Sequence, residues 1–523
     1  MRVRHAALCV ALALLAPAQV RPEAARLRDA SAREARASCE SLSSLRLHNA
    51  TVTSAASMAA GAFSPPTAVP GRGVAPAVAR AMAAAPAFCR VALTSTPTAD
   101  SDIKIEVWLP ASGWNGKLLA VGNGGWAGTI SYQPLAAAIA LGYAAASTDT
   151  GHTTPGASFA LGHPEKVVDY AHRSLHEMAV QAKAVVSAHY GDKVRASIWN
   201  GCSTGGNQGL TLASMYPDDF DAIIAGAPPD IRSRVHAVRM VLHRFVHRTP
   251  GSYIPPEKYP AVHTAVMAAC DVKDGVKDGI IENPPACRFD PTVIQCKGAD
   301  APSCLTAEQV ETARALYADI KHPKTGQVLY SPLLQPGSEL LWSALAGPQP
   351  FSNASETYKY LVAKDAAWDP ARFDPATDVE KMDAAASVLN TAGHNLKPFF
   401  ARGGKLLLYH GWSDQQNPAS TSVGYFNRVV NAAGQRAVGT SIQLYMVPGM
   451  NHCQGGVGTD TFDKIAVIEE WMAKGTAPAQ IVASHLTEGK VDRTRPLCPY
   501  PQVAVYQGSG STDEAANFSC RKP

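Results

Sequence analysis

The stretch Trp199-Asn-Gly-Cys-Ser-Thr-Gly-Gly206 carries Gly201-x-Ser203-x-Gly205, the spacing of a nucleophile elbow. A serine hydroxyl is a weak nucleophile until a base takes its proton, and that base needs a carboxylate to orient it. Asp414 and His452 follow Ser203 in the chain order Ser, Asp, His, and each sits at the end of a predicted strand. Histidines 152 and 410 also end predicted strands, but His152 precedes the serine, and His410 stands too near Asp414 to be the base and is expected to line the pocket. An oxyanion formed at the attacked carbonyl needs two N–H donors. Thr204, directly after the nucleophile, offers one. The turn Gly122-Asn-Gly-Gly-Trp-Ala-Gly128 offers the other, with Gly125 preferred to Gly124; the plainer reading of that turn is simple chain reversal.

Cysteine stands beside both candidate residues, as Cys202-Ser203 and as His452-Cys453, two mirror dipeptides far apart in the chain. A bond between Cys202 and Cys453 would staple nucleophile to base. The rival reading, a buried free thiol at Cys202, leaves Cys453 unpaired as well.

These residues need a scaffold, and the surrounding pattern predicts one. Residues 103–110 alternate apolar and polar as a half-buried strand does, while 116–125, 142–152, 196–206, 221–229, 403–414 and 441–453 read as short apolar strands running into turns. A helix over 176–191 stops at Gly191. Alternating strand and helix predict an α/β fold: a mostly parallel sheet covered by helices on both faces. Between 231 and 399 the alternation is replaced by Pro-rich turns and scattered aromatics, as expected of an insertion dividing a core of 19–230 and 400–523. The Ala/Pro-rich stretch 21–100 reads as a wrapping segment tied down by Cys39 and Cys89.

The first residues join Arg2, Arg4 and His5 to an apolar run and Ala16-Pro17-Ala18, the pattern of a secretory signal over 1–18, too short to span a bilayer. Its removal takes Cys9 and leaves ten of the 11 cysteines. An even number in an exported, secreted or periplasmic chain predicts disulfides, and the absence of any CxxC pair argues against zinc. The charge balance of 47 Lys+Arg against 43 Asp+Glu, without a basic block, makes nucleic acid an unlikely partner, and no stretch is long and apolar enough for a membrane span. Oligomeric state is left open.

The Cys-Ser…Asp…His-Cys arrangement, with "GNGGWAG" upstream and "PGMNHCQGG" at the histidine, resembles the tannase and feruloyl esterase family, which also contains mono-hydroxyethyl terephthalate hydrolase. The resemblance implies an α/β-hydrolase core, a lid inserted after about Pro229, and a structural calcium in that lid. Residues 270–281, "CDVKDGVKDGII", match its calcium loop: Asp271, Asp274 and Asp278 by side chain, Val276 and Ile280 by carbonyl. Independently, three carboxylates so close together, with Gly275 and Gly279 permitting tight turns, would repel one another unless a hard cation took their oxygens. A solvated acidic turn balanced by Lys273 and Lys277 is the alternative. Cys270 and Cys287 flank this loop and would close it. The resemblance further implies the pairs Cys39 with Cys89, Cys296 with Cys304 and Cys498 with Cys520.

The expected activity is that of a secreted serine carboxylesterase, and the resemblance implies a small aromatic ester substrate. Among the lid aromatics Trp342, Phe351, Tyr358, Trp368 and Phe373, each could stack on a ring, though core packing is the commoner job of a buried aromatic. Asn417 stands where the terephthalate-type enzyme has an aromatic clamp, and no arginine is identified for a free carboxylate, which favours feruloyl esters over terephthalate monoesters, with gallate esters next. A calcium-dependent binding protein with the same fold would have lost a triad member, and none is missing. A peptidase would share the triad; the resemblance argues for esters.

Overall fold

The computed structural model describes residues 37–66, 74–126 and 128–523, so the expected signal segment of 1–18 lies outside the described residues. Its main sheet has ten strands. They are β1 (Arg46–Leu47), β2 (Ala50–Met58), β3 (Phe88–Ser95), β4 (Ile103–Pro110), β5 (Lys117–Val121), β6 (Ala144–Thr148), β7 (Ala196–Cys202), β8 (Ala222–Gly226), β9 (Lys405–Gly411) and β10 (Ile442–Val447). Their order in space is β1-β2-β3-β4-β6-β5-β7-β8-β9-β10. Pairing is antiparallel from β1 to the β4–β6 contact and parallel from β6 to β10.

The parallel strands lie under helices on both sides, which is why β6, β8 and β10 are buried at every position and show no alternation. On one face pack α2 (Ser174–Tyr190), α3 (Thr204–Met215) and α5 (Ala419–Ala433), through residues such as Met178, Leu210 and Val429. On the other pack α1 (Tyr132–Ala140) and α6 (Lys464–Lys474), through Leu135, Ile139 and Trp471. α2 ends where expected, Gly191 taking the left-handed conformation (φ 66°) that closes a helix.

Two expectations change. The stretch before residue 100 does not simply wrap the core: β2 and β3 extend the sheet, with Cys39 bonded to Cys89. β4 is buried on both faces, Ile105 and Val107 packing in the cluster with Met178 of α2 and Trp108 in the one with Leu135 of α1. Its Glu106 is tolerated there because Arg90 and the Trp108 Nε1–H donate to it.

β8 and β9 are hydrogen-bonded neighbours, so residues 231–399 leave the sheet and return to it at the adjoining strand. This segment builds its own core, in which Trp342, Tyr358, Trp368 and Phe373 are buried together with Val238 and Leu242 of α4 (Arg232–Val246). Trp126, Phe159 and Tyr170 from the sheet domain join that cluster. The insertion is thereby packed against the turns at the carboxyl ends of the strands, where ligands bind in open α/β sheets.

Candidate active site

Ser203 stands between β7 and α3 with φ 62° and ψ −124°, a conformation that costs a non-glycine residue about 1–3 kcal/mol and marks a strained elbow. What holds it is close backbone packing. Ser203 N–H donates to Gly226 O at 2.9 Å. A Cβ on Gly206 would meet that same oxygen at 2.2 Å, and one on Gly201 would meet Gly205 O at 2.4 Å. The small residues of the motif are therefore required by contact.

The base and carboxylate come from the next two loops. Gly411, where β9 ends, passes so near the β10 loop that a Cβ would lie 2.1 Å from Met450 O, and this close approach brings Asp414 to His452. His452 Nδ1 lies 2.8 Å from Asp414 Oδ2, with the imidazole almost buried and the carboxylate wholly so. Asp414 Oδ1 accepts the backbone N–H groups of Gln416 (2.8 Å) and Asn417 (2.9 Å). Gln415 Oε1 accepts the His452 N–H at 3.1 Å. Burial pushes the Asp414 carboxyl upward, but the charge at His452 and the hydrogen bonds from His410 and His452 outweigh it and hold Asp414 well below the usual carboxylate range.

Cys202 and Cys453 form a disulfide, with Cα atoms 6.0 Å apart across 251 residues of chain. It joins the neighbour of Ser203 directly to the neighbour of His452. Cys453 is itself at positive φ, 67°, so both stapled segments are strained where they meet. The pairs Cys39–Cys89, Cys270–Cys287, Cys296–Cys304 and Cys498–Cys520 also form, so every cysteine among the described residues is paired.

Gly125 takes φ 53°, and its carbonyl accepts the Tyr170 hydroxyl at 2.5 Å and the Thr204 hydroxyl at 3.1 Å. These bonds tie the turn to the residue after the nucleophile. Neither the Gly125 nor the Thr204 N–H donates to an acceptor among the described residues. From the insertion, Asn353 lies 3.4 Å from the position of a Gly125 Cβ, and Phe351 stacks on the Arg239 guanidinium at 4.4 Å.

Three sequence expectations are corrected or refined. His410 does not line a pocket: it is fully buried, with Nε2 3.0 Å from Asp414 Oδ2. Of the lid aromatics, Trp342, Tyr358, Trp368 and Phe373 belong to the packed core, and Phe351 alone of the five is only half-buried. Arg239, which sequence reasoning missed, is buried on α4 and donates to Asn417 Oδ1 at 2.6 Å; burial lowers its pKa to about 10. The only signal for it was a helix whose i, i+4, i+7 face reads Arg232, His236, Arg239, which does not look like a buried stripe.

The acidic loop surrounds a small cavity lined by Asp274, Val276, Asp278, Ile280, Glu282 and Arg495. Asp271 is not among these; its oxygens accept the N–H groups of Asp278 and Gly279, each at 3.3 Å, and so brace the loop. Glu282, absent from the sequence reading, also lines the cavity. Burial, with the nearby charges of Asp278 and Asp271, raises Asp274 to about 6; burial likewise raises Glu282 to about 8. Asp278 is ion-paired here with Arg495 (Nη2 to Oδ2, 2.5 Å), and among the described residues no three carboxylates of this loop bring their oxygens within 4.8 Å of one another; by residue type the lining is an oxygen donor set of the kind a hard cation takes. A separate cavity of about 830 Å³, lined by Trp412, Tyr317 and Tyr500 among others, contains none of Ser203, Asp414 and His452.

Sheet order, elbow and strand-end acid and base define an α/β-hydrolase. Residues 89–521 match the family model described as tannase and feruloyl esterase. An uncharacterized esterase of Xanthomonas campestris is 36% identical over 93% of this chain and 91% of its own. A probable feruloyl esterase B-1 of Aspergillus flavus is 33% identical over 82% and 85%. The crystal structure of feruloyl esterase B from Aspergillus oryzae superposes with a TM-score of 0.84 at 29% identity, covering 92% of this chain and 99% of that one. A tannin acyl hydrolase from Aspergillus niger shares the fold at 22% identity and a TM-score of 0.74. The chain belongs to the tannase and feruloyl esterase family, and it is a carboxylic ester hydrolase.

Proposed function

We propose that this protein is a secreted serine esterase of hydroxycinnamate esters, working through an acyl-enzyme on Ser203. The observation that carries this reading is the stapled pair: the Cys202–Cys453 bond joins the residue before the strained Ser203 to the residue after His452, whose Nδ1 faces an ionised Asp414 at 2.8 Å. Ser203 Oγ attacks the ester carbonyl while His452 Nε2 takes its proton and returns it to the leaving alcohol; Asp414 keeps the imidazole in the Nδ1–H tautomer. The Thr204 and Gly125 N–H groups receive the oxyanion, and water then cleaves the acyl-enzyme.

Relatives named feruloyl esterase support the acid part of the substrate, and Phe351, half-buried over Arg239, is the insertion's candidate for stacking on its ring. Asn417 is bound on both sides, by Arg239 and by Ala227 O, so it is structural and leaves no aromatic clamp at its position. Calcium would be held by the Asp271, Asp274 and Asp278 side chains and the Val276 and Ile280 carbonyls, with Glu282 as a further carboxylate at the cavity; its contribution would be to hold the insertion together. Export is supported by the leader-like first 18 residues and the five disulfides. Trapping of Ser203 by a fluorophosphonate, with loss of labelling in Ser203→Ala, tests the nucleophile directly.

A further inference from the structure

We propose that His410 is a positioning residue of this esterase: locked as its Nε2–H tautomer by Ser422, it donates to Asp414 and fixes the carboxylate plane that serves His452. The proposal rests on the reading of Ser203, His452 and Asp414 given above.

Asp414 Oδ2 is shared by two imidazoles, His452 Nδ1 at 2.8 Å and His410 Nε2 at 3.0 Å. An ionised carboxylate only accepts, so both nitrogens facing it carry hydrogen. For His410 a second contact agrees, since Nε2 also faces the Asn417 carbonyl at 3.3 Å, another pure acceptor. Its Nδ1 lies 2.8 Å from Ser422 Oγ on α5, and a hydroxyl can donate there. Ser422, His410 and Asp414 thus repeat the order of the working triad, around one shared carboxylate. Ser422 and His410 are both fully buried, so this second array cannot meet a substrate. Its one route to the chemistry is Asp414.

Two consequences follow from a fourth hydrogen bond on that carboxylate. Rotation of the carboxylate is arrested, because Oδ1 is already held by the Gln416 and Asn417 N–H groups. The donated hydrogen also draws charge from Oδ2, so the carboxylate holds the imidazolium of His452 less tightly than it would alone. Loss of His410 should therefore lower kcat and raise the pH of the acid limb, because His452 keeps its proton longer. The other charged or titratable groups near the carboxylate are Arg239 of α4, reaching it through Asn417, and Tyr330 and Arg232 beyond that guanidinium. None of them donates a hydrogen bond to Asp414 itself.

The experiment is the pH profile of kcat and KM on one aryl ester for His410→Leu, His410→Gln and Ser422→Ala. His410→Leu should lower kcat about tenfold or more, leave KM within about twofold, and move the acid limb up by a few tenths of a pH unit. His410→Gln, whose side-chain amide can donate to Asp414, should recover part of kcat and move the limb back. Ser422→Ala should show the same changes at smaller size. A folded His410→Leu enzyme with the wild-type kcat and limb would overturn the proposal, as would a kcat loss with no limb shift and no recovery in His410→Gln. Should His410→Leu not fold, the other two variants decide, and a wild-type profile in Ser422→Ala counts against it. Ser203→Ala in the same assay separates the readings: activity surviving there sinks the serine mechanism, whatever His410 does.

Discussion

Asp414 is the residue on which the account turns, because it is ionised, wholly buried and shared by two histidines. Its folded pKa is depressed, so its contribution to stability is fully present above the unfolded value of about 3.9 and is lost as pH falls through the folded value. Between pH 5 and 8 it stays charged, and titrating the wild type there should expose no protonation of Asp414. Asp414→Asn should lower kcat by about 10³-fold or more by admitting the wrong tautomer of His452, with KM little changed; a loss under tenfold would remove Asp414 from the proposed triad. The strained turn at Ser203 and the Asp414–His452 pair were legible because this fold puts such groups at strand ends in a set chain order. His410 was misread as pocket-lining: closeness in sequence to Asp414 says nothing about which way a strand-end side chain is buried. Arg239 and Glu282 escaped for a related reason, since charged residues are assigned to solvent unless a buried partner is known.

The elements that hold the site can be tested separately. Gly206→Ala would place a Cβ 2.2 Å from Gly226 O, and the overpacking should cost about 1–3 kcal/mol or more, seen as a lower midpoint in denaturant. The Cys202→Ala/Cys453→Ala double variant should lower kcat on the order of 10²-fold, the usual result of misplacing reactive groups by about 1 Å. Retention of kcat in a folded double variant would reduce the disulfide to a stabilising role. Chelation of calcium should lower Tm by several degrees while ester cleavage persists in the cold; an unchanged melting curve would leave the acidic loop without a metal. The sheet strands were readable as apolar runs and Gly191 as a helix stop. α4 was not, because Arg232, His236 and Arg239 occupy its buried face, where Arg232 Nη2, His236 Nδ1 and Arg239 Nη2 meet Tyr170, Thr357 and Asn417 from outside the helix. No local pattern can announce partners that distant.

At the scale of the molecule, the insertion and the sheet domain meet over the site: Arg239, stacked on Phe351, donates to the Asn417 turn, and Asn353 lies beside the Gly125 turn. Specificity should therefore respond to Phe351 before any other lid aromatic, because the remaining four are committed to the core of the insertion. β2 and β3 were hidden in an Ala- and Pro-rich stretch whose composition masks strand pattern. Hydrolysis of methyl ferulate, methyl caffeate, methyl gallate and mono-hydroxyethyl terephthalate by the wild type and by Ser203→Ala tests the central claim most directly. Cleavage of the two cinnamates is expected ahead of the gallate and the terephthalate monoester, and is abolished in the variant. Activity that survives Ser203→Ala would contradict the mechanism, and a wild type that cleaves none of the four would contradict the substrate class.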